Sequence, residues 1–336
     1  MNDLEATILK VKDLMEKSAV TNASYTFAPA TRSIFNPENL DPIVKLLPPT
    51  ATPVRSLLAR SKGYGQASAW KMLTSQLAPA ATYSGLTVSG TSTSGFFADG
   101  GTPYSTTQTF QVMTAAYKNI GRDVEVGRQA IASSRGYQDI RDQLVKIKML
   151  EVMLAEEDAI LNGSISADIN SFDGLATTLT SNVVNVAGGY LTVSGVGSAL
   201  RQAWNNWGAQ PGVLVVTARQ QQALADDLQG SGSIQRIVVA DQAGATGGVR
   251  LASIVNPIDG TLISVVTSRY ANTNGYLLSL ADAAGQTWLE MEDLEGLSVY
   301  EPPVSTHSVI SRVYETTVLK VIGEVKQIKL TGLATA

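Results

Sequence analysis

The chain of 336 residues contains no cysteine and a single histidine, His307. Without cysteine there is no disulfide framework, thiolate metal site, iron-sulfur cluster or cysteine nucleophile. With one imidazole, a zinc site, a di-iron site or a Ser-His-Asp relay would each have to be built around His307. Its surroundings, "PPVSTHSVISRVYETTVLKVIGEV", alternate apolar and polar residues as a strand does, and a histidine at a strand start reads as an edge or surface residue. Charge is sparse too: 16% of the residues are Asp, Glu, Lys or Arg, and the formal net charge is -4. That leaves no basic footprint for gripping a nucleic-acid backbone. No apolar run approaches the roughly 18 residues of a membrane span. The N-terminus, Met1-Asn-Asp-Leu-Glu, carries acids where a secretory signal carries Lys or Arg. A protein that stays inside the producing cell, with no membrane partner, is expected.

Motifs for phosphate or nucleophilic chemistry are incomplete. "GVGSAL" (Gly195 to Leu200) has Leu200 where a dinucleotide fingerprint needs its third glycine, and "GATGGVR" lacks the Lys-Ser/Thr of a Walker loop. "GTSTSG" (Gly90 to Gly95) spaces its glycines one residue too far for a nucleophile elbow. The acids Glu290, Glu292, Asp293 and Glu295 in "WLEMEDLEG" lack the ladder and central glycine of an EF-hand, and they read as the solvated face of a strand and the turn after it.

A second acidic group stands in "LAEEDAILNG". From Tyr137 to Asn162 there is no proline or glycine, Asp139 and Asp142 stand where a first turn favours acids, and Gly163 is placed to stop the helix. At about 100° per residue, Glu156, Glu157 and Asp158 point in three directions and cannot converge on one ion. Glu151 and Asp158 share a line, with Lys148 spaced to pair with Glu151. A di-metal bundle would also want a Glu-x-x-His pair, and this helix has no histidine. The three acids therefore read as surface groups on a rod. No catalytic residue, cofactor-binding residue, cofactor or metal ligand is expected.

What is present is organisation. Hydrophobic residues make up 44% of the chain, the balance of an ordered globular protein. Leu4, Ile8, Val11 and Met15 have helical spacing within residues 1–18. Pro29, Pro37, Pro42, Pro48, Pro49 and Pro53 then favour an extended arm. Between Lys71 and Lys118 the one charged residue is Asp99, and the Thr, Tyr, Phe and Gly content reads as two strands with a tip around Gly90 to Gly101. Such a ribbon is marginal alone and suits packing on a neighbouring subunit. From about Val186 an α/β region follows. "GSALRQAWNNWG" is a helix ended by Gly208, "PGVLVVTA" a buried strand, and "TARQQQALADDLQG" a helix with capping-box spacing at Thr217 and Gln220. Then come the strands "SIQRIVVA", "TLISVVTS", "NGYLLSLA", "TWLEME" and "LSVYE", and from Val309 to Leu330 one long strand or a bent pair.

Taken in order, "LLPPTATPVRSLLARSKGYGQASAWK", the charge-poor hairpin, "EEDAILNG" followed by "FDGLATTL", "LRQAWNNWGAQPGVLVVTARQQQALADDL" and "YETTVLKVIGEVKQIKLTGLAT" make the chain resemble tailed-bacteriophage major capsid proteins of the Hong Kong 97-type fold. The resemblance spans essentially the whole chain and implies an α+β fold. It implies an N-terminal helix and arm (1–61), an extended β-hairpin loop (62–117), a peripheral domain (118–185 and 301–336) with a spine helix over 137–162, and an α/β axial domain (186–300). It also implies hexamers and pentamers closing into an icosahedral head around double-stranded DNA, with portal, scaffolding and cement proteins as further partners. The virion shell would be assembled in the host bacterial cytoplasm, and packaged DNA would be touched only weakly and without sequence preference.

Some relatives weld their shells through a lysine on the extended loop, and no lysine stands between Lys71 and Lys118, so a non-covalent shell is expected. The short segment before the arm points to a separate scaffolding protein. Two rivals stay open on sequence. One is an encapsulin-like nanocompartment shell of the same fold; the other is a carboxylate-dependent glycosidase, which needs neither His nor Cys.

Overall fold

The computed structural model describes residues 51–73, 81–83, 86–88, 99–100, 110–134, 139–230, 251–282, 285–303 and 307–335. The helix expected in residues 1–18, the arm from Asn22 to residue 50, most of the hairpin tip, and the segments "SIQRIVVA", "GTSTSG" and "GATGGVR" lie outside the described residues.

A short helix α1 (Pro53–Leu57) begins with proline, whose missing N–H is no loss at that position. Strand β1 (Ala59–Lys62) follows, then β2 (Ala67–Leu73), β3 (Ala81–Tyr83), β4 (Leu86–Val88) and β5 (Phe110–Ala116). β2 and β5 form an antiparallel ribbon from Ala67 opposite Ala116 to Leu73 opposite Phe110, and β3 pairs with β4. Next come β6 (Lys118–Gly127), helix α2 (Arg128–Ser134) and the long helix α3 (Ile140–Asn162). Asp139, expected inside the first turn of α3, is instead its N-cap, its carboxylate accepting from the N–H groups of Arg141 and Asp142. An aspartate favours that position because its side chain satisfies donors the helix leaves free.

Helix α4 (Leu175–Thr178), β7 (Val183–Asn185), α5 (Val193–Trp207), β8 (Val213–Val216) and α6 (Ala218–Gly230) build the next layer. Gly208 ends α5 in the left-handed conformation at φ 60°, which costs glycine nothing. Strands β9 (Ser253–Val255), β10 (Leu262–Thr267), β11 (Gly275–Leu278), β12 (Leu289–Tyr300), β13 (Ser308–Val321) and β14 (Ile328–Thr331) complete the chain. "TWLEME" and "LSVYE", read as separate strands, are one strand, β12, with register shifts near Asp293 and Glu295 that absorb the polar "DLEG".

Two sheets organise these strands. One has the order β1-β12-β13-β6, with α3 packed across β6 and β13. The other has the order β7-β14-β11-β8-β10-β9. The chain passes between the two sheets more than once. β12, within the expected axial segment, pairs with β13, whereas β7 and β14, from the expected peripheral segments, join the six-stranded sheet. The turn between β13 and β14 passes Gly323, where a Cβ would lie 2.7 Å from the ring of Trp288, so only glycine lets the backbone pass.

The run "VLVV" of β8 is buried on both faces. Leu214 and Val216 pack with Val196, Leu200 and Leu224 of α5 and α6, while Val213 and Val215 turn the other way, to Ile160, Leu161, Leu175 and Met291. This second core joins the end of α3, helices α1 and α4, and the four-stranded sheet, and it fixes the site below.

Candidate functional site

The acids of α3 diverge as the helix angle requires, but they are not surface groups. Glu156 and Glu157 are fully buried, and Asp158 alone faces solvent. Glu157 lies at the start of α1. Its carboxylate accepts from Val54 N–H at 3.2 Å, Arg55 N–H at 2.7 Å and Ser268 Oγ at 2.9 Å. Thr52, the N-cap of α1, gives no side-chain cap, so a glutamate about 100 residues away in sequence does that work. Glu156 takes the guanidiniums of Arg55 and Arg60, and Arg60 also reaches Asp293 of β12 at 2.9 Å. Asp158 bonds Asn162 at 2.8 Å, and Lys148 pairs with Glu151 at 2.8 Å as the spacing suggests.

A fourth carboxyl completes the cluster. Glu315 of β13 is fully buried, Arg55 Nη2 stands 3.5 Å from it, and no hydrogen-bond partner reaches either oxygen. Burial, reinforced by the charge of Glu156, pushes its carboxyl up to about 8.

The acids of β12 are likewise not a solvated face. Glu290 is buried and pairs with Lys320 at 2.9 Å; Glu292 accepts from Ser68 Oγ at 2.7 Å, from Tyr117 Oη and from Lys320; Asp293 accepts from Thr317 Oγ1 at 2.7 Å. Glu295 alone of the four is exposed, taking the Tyr314 hydroxyl. Burial alone would raise Glu292, yet the bonds from Tyr117, Ser68 and Lys320 outweigh it and hold its carboxyl below the usual range. The Tyr117 phenol is pushed up to about 12 by burial and by that carboxylate.

These contacts surround the root of the β2–β5 ribbon. Arg55 and Arg60 precede β2, Ser68 lies on it, and Tyr117 links β5 to β6. The Tyr117 ring lies against Gly63, where a Cβ would come within 2.7 Å of Cζ. Beyond the root the ribbon offers apolar side chains to solvent, Phe110 at 63% and Val112 at 58% exposure.

"ILNG" and "FDGL" meet in space. Gly174 N–H donates to Gly163 O at 2.9 Å, and Thr177 Oγ1 donates to the same oxygen at 2.9 Å. A Cβ on Gly163 would press the carbonyls of Phe172 and Ala159, and one on Gly174 would lie 2.5 Å from Ala159 O. Gly163 has φ -54°, so close approach of backbone, not a left-handed turn, demands glycine there.

Among the remaining sequence features, "GVGSAL" lies in the first turns of α5, where Thr192 Oγ1 accepts from Gly195 N–H. Thr217 caps α6 through Gln220 N–H at 3.4 Å, but the Gln220 side chain bonds Leu191 and Ala334, so the reciprocal half of a capping box is not made. His307 is exposed ahead of β13. Among the described residues no group of three or more His, Cys, Asp or Glu could hold a metal, and no helix is long and apolar enough to cross a membrane. Glu156 and Glu157 are bonded to arginine, backbone and hydroxyl donors rather than turned to a cleft, unlike the open carboxylate pair of a glycosidase. Their arrangement joins segments distant in the chain.

The model of the SU10 major capsid protein family matches residues 19–299. No curated protein sequence matches the chain. Among solved structures, the capsid asymmetric unit of cyanophage A-1(L) superposes with a TM-score of 0.65 at 13% identity, covering 91% of this chain and 99% of that one. The capsid of a native GTA particle gives 0.60 at 14% identity, covering 90% and 96%. The SrpI encapsulin of Synechococcus elongatus gives 0.58 at 12% identity, covering 87% and 92%. At such identities these likenesses speak for the fold, the Hong Kong 97-type, while the family match speaks for the lineage.

Proposed function

Since the chain belongs to the SU10 major capsid protein family, and is thereby a structural subunit of a phage head, we propose that its copies form hexamers and pentamers that close an icosahedral shell around double-stranded DNA. The observation that carries this reading is the β2–β5 ribbon: a two-stranded sheet with Phe110 and Val112 in solvent, rooted firmly at its base. Two strands alone are marginal in water, and such a ribbon is stable when it lies on another surface. That surface is a neighbouring copy. The four-stranded sheet with α3 is the peripheral lobe, and the six-stranded sheet with α5 and α6 is the axial lobe around the capsomer centre. Contacts spread over long extensions give large area at modest energy per contact, which lets a misplaced subunit leave.

The shell is held without covalent links, with portal, scaffolding and cement proteins as further partners and host cytoplasm as the place of assembly. The net charge of -4 keeps contact with packaged DNA weak and unspecific. Negative-stain microscopy of the purified chain tests the reading: shells, tubes or capsomer rings are expected, and stable monomers under every assembly condition would defeat it. The nanocompartment shares the fold, but the family match favours the phage head.

A further inference from the structure

The carboxylate cluster holds more acid than base. Glu156, Glu157, Asp293 and Glu315 face two cations, Arg55 and Arg60, in a site where Glu156, Glu157 and Glu315 are fully buried. With every acid ionised, two negative charges are left over. The backbone N–H groups at the start of α1 offset part of one through Glu157. Nothing comparable serves Glu315, whose oxygens receive no hydrogen bond. Arg55 brings the two acids together, its Nε bonded to Glu156 and its Nη2 3.5 Å from Glu315, so a neutral Glu315 can donate its hydroxyl to the Glu156 carboxylate.

We propose that Glu315 and Glu156 form a proton-operated latch, closed while a proton is held between them and opened when it leaves, which frees α1 and β1 from the long helix α3. On leaving, the proton passes to solvent and Glu315 becomes a carboxylate. It then competes with Glu156 for Arg55, which stands 3.5 Å away and whose own N–H is one of the two that Glu157 caps. The segment so released leads directly into the ribbon. The charged groups on the surrounding elements are Arg55 on α1, Arg60 on β1, Glu156 and Glu157 on α3 and Asp293 on β12. Arg122 on β6 lies 3.9 Å from Glu151, and Ile120 stands opposite Glu315 in the ladder.

The sign follows from proton counting. Closed, Glu315 keeps its proton up to about 8; released to water, it titrates near its ordinary 4.5. The closed form therefore binds more protons across that window, and rising pH favours opening, by about tenfold per pH unit for one proton.

Hydrogen exchange of the purified full chain tests this, read as protection factors for the peptide carrying the Val54 and Arg55 amides. Between pH 6 and pH 8 protection should fall by about fiftyfold, while Glu315→Gln, permanently neutral and able to donate, should hold it flat. Wild-type protection that does not change, or a variant that falls in step with wild type, overturns the latch. If the variant yields no folded protein, the infrared carbonyl band of a protonated carboxylic acid in the wild type decides: present at pH 6 and gone by pH 9 supports the latch, absent at pH 6 ends it. Neither readout requires a closed shell, so the latch and the shell reading can fail separately.

Discussion

Replacing Glu157 by glutamine separates a buried cap from a surface charge. The carboxylate satisfies Val54 N–H, Arg55 N–H and Ser268 Oγ, and the side chain has no access to water. Glutamine keeps one acceptor oxygen and turns an NH₂ toward the remaining donors. One buried N–H left without a partner costs about 1–3 kcal/mol. The lost negative charge at the start of a short helix adds about 0.3–1 kcal/mol. Nothing local compensates, because Thr52 makes no side-chain cap. The expected loss is about 2–4 kcal/mol, or a melting temperature several degrees lower at the roughly 2 °C per kcal/mol of a long chain. Asp158→Asn, one residue on and exposed, should stay within about 0.5 kcal/mol of wild type. Calorimetry of the purified chain compares the two, and exchange of the Val54 and Arg55 amides locates the effect. Should both variants melt with wild type, Glu157 would not be holding α1 and the burial argument would be wrong.

The joint after α3 gives a second expectation: Gly163→Ala and Gly174→Ala should each destabilise by more than about 3 kcal/mol, since the added carbon meets backbone carbonyls that no rotamer change can move. Loss of soluble yield, or of several degrees in melting temperature, checks it. Gly63→Ala should strain the root of the ribbon through the Tyr117 ring, and adding Tyr117→Ala should cost less than the sum of the two single changes; additive melting shifts would show that the two residues do not press on each other. Mature particles boiled in detergent should run at the subunit mass of 35.5 kDa, and a ladder of higher bands would rule out the non-covalent shell.

Which of these groups could be read from sequence depends on how far away the partner lies. The span of α3 was legible because its signals are local: a run free of glycine and proline, an aspartate at its head and Gly163 at its end. So was the divergence of the three acids, which needs only the helix angle. Their burial was not, because the angle gives a direction and says nothing of what stands there. Arg55 and Arg60, about 100 residues upstream, are what make the inward positions tolerable. A signal was present nonetheless. Glu156 lies four residues from the buried Val152 and Ile160, and Glu157 four from the buried Leu161, so both fall on the stripe that packs inward. A charged residue on such a stripe calls for a distant partner of opposite sign. The acids of β12 escaped for the same reason, their partners Lys320 on β13, Ser68 on β2 and Tyr117 between β5 and β6 lying far from them in the chain.

Strand pairing, too, joins segments far apart in the chain. Sheets recruit strands by pairing, so β12 lies beside β13 and β14 beside β11. The consequence is mechanical. β13 and β14 are successive strands in different sheets, joined through the tight turn at Gly323, so a displacement of one lobe must load that turn. The root of the ribbon, by contrast, is tied through Arg60, Ser68 and Tyr117 to β12 and α3, all on the four-stranded side. The buried charges of Glu156 and Glu157 stand beside that root, where charge-assisted bonds fix the direction of each contact.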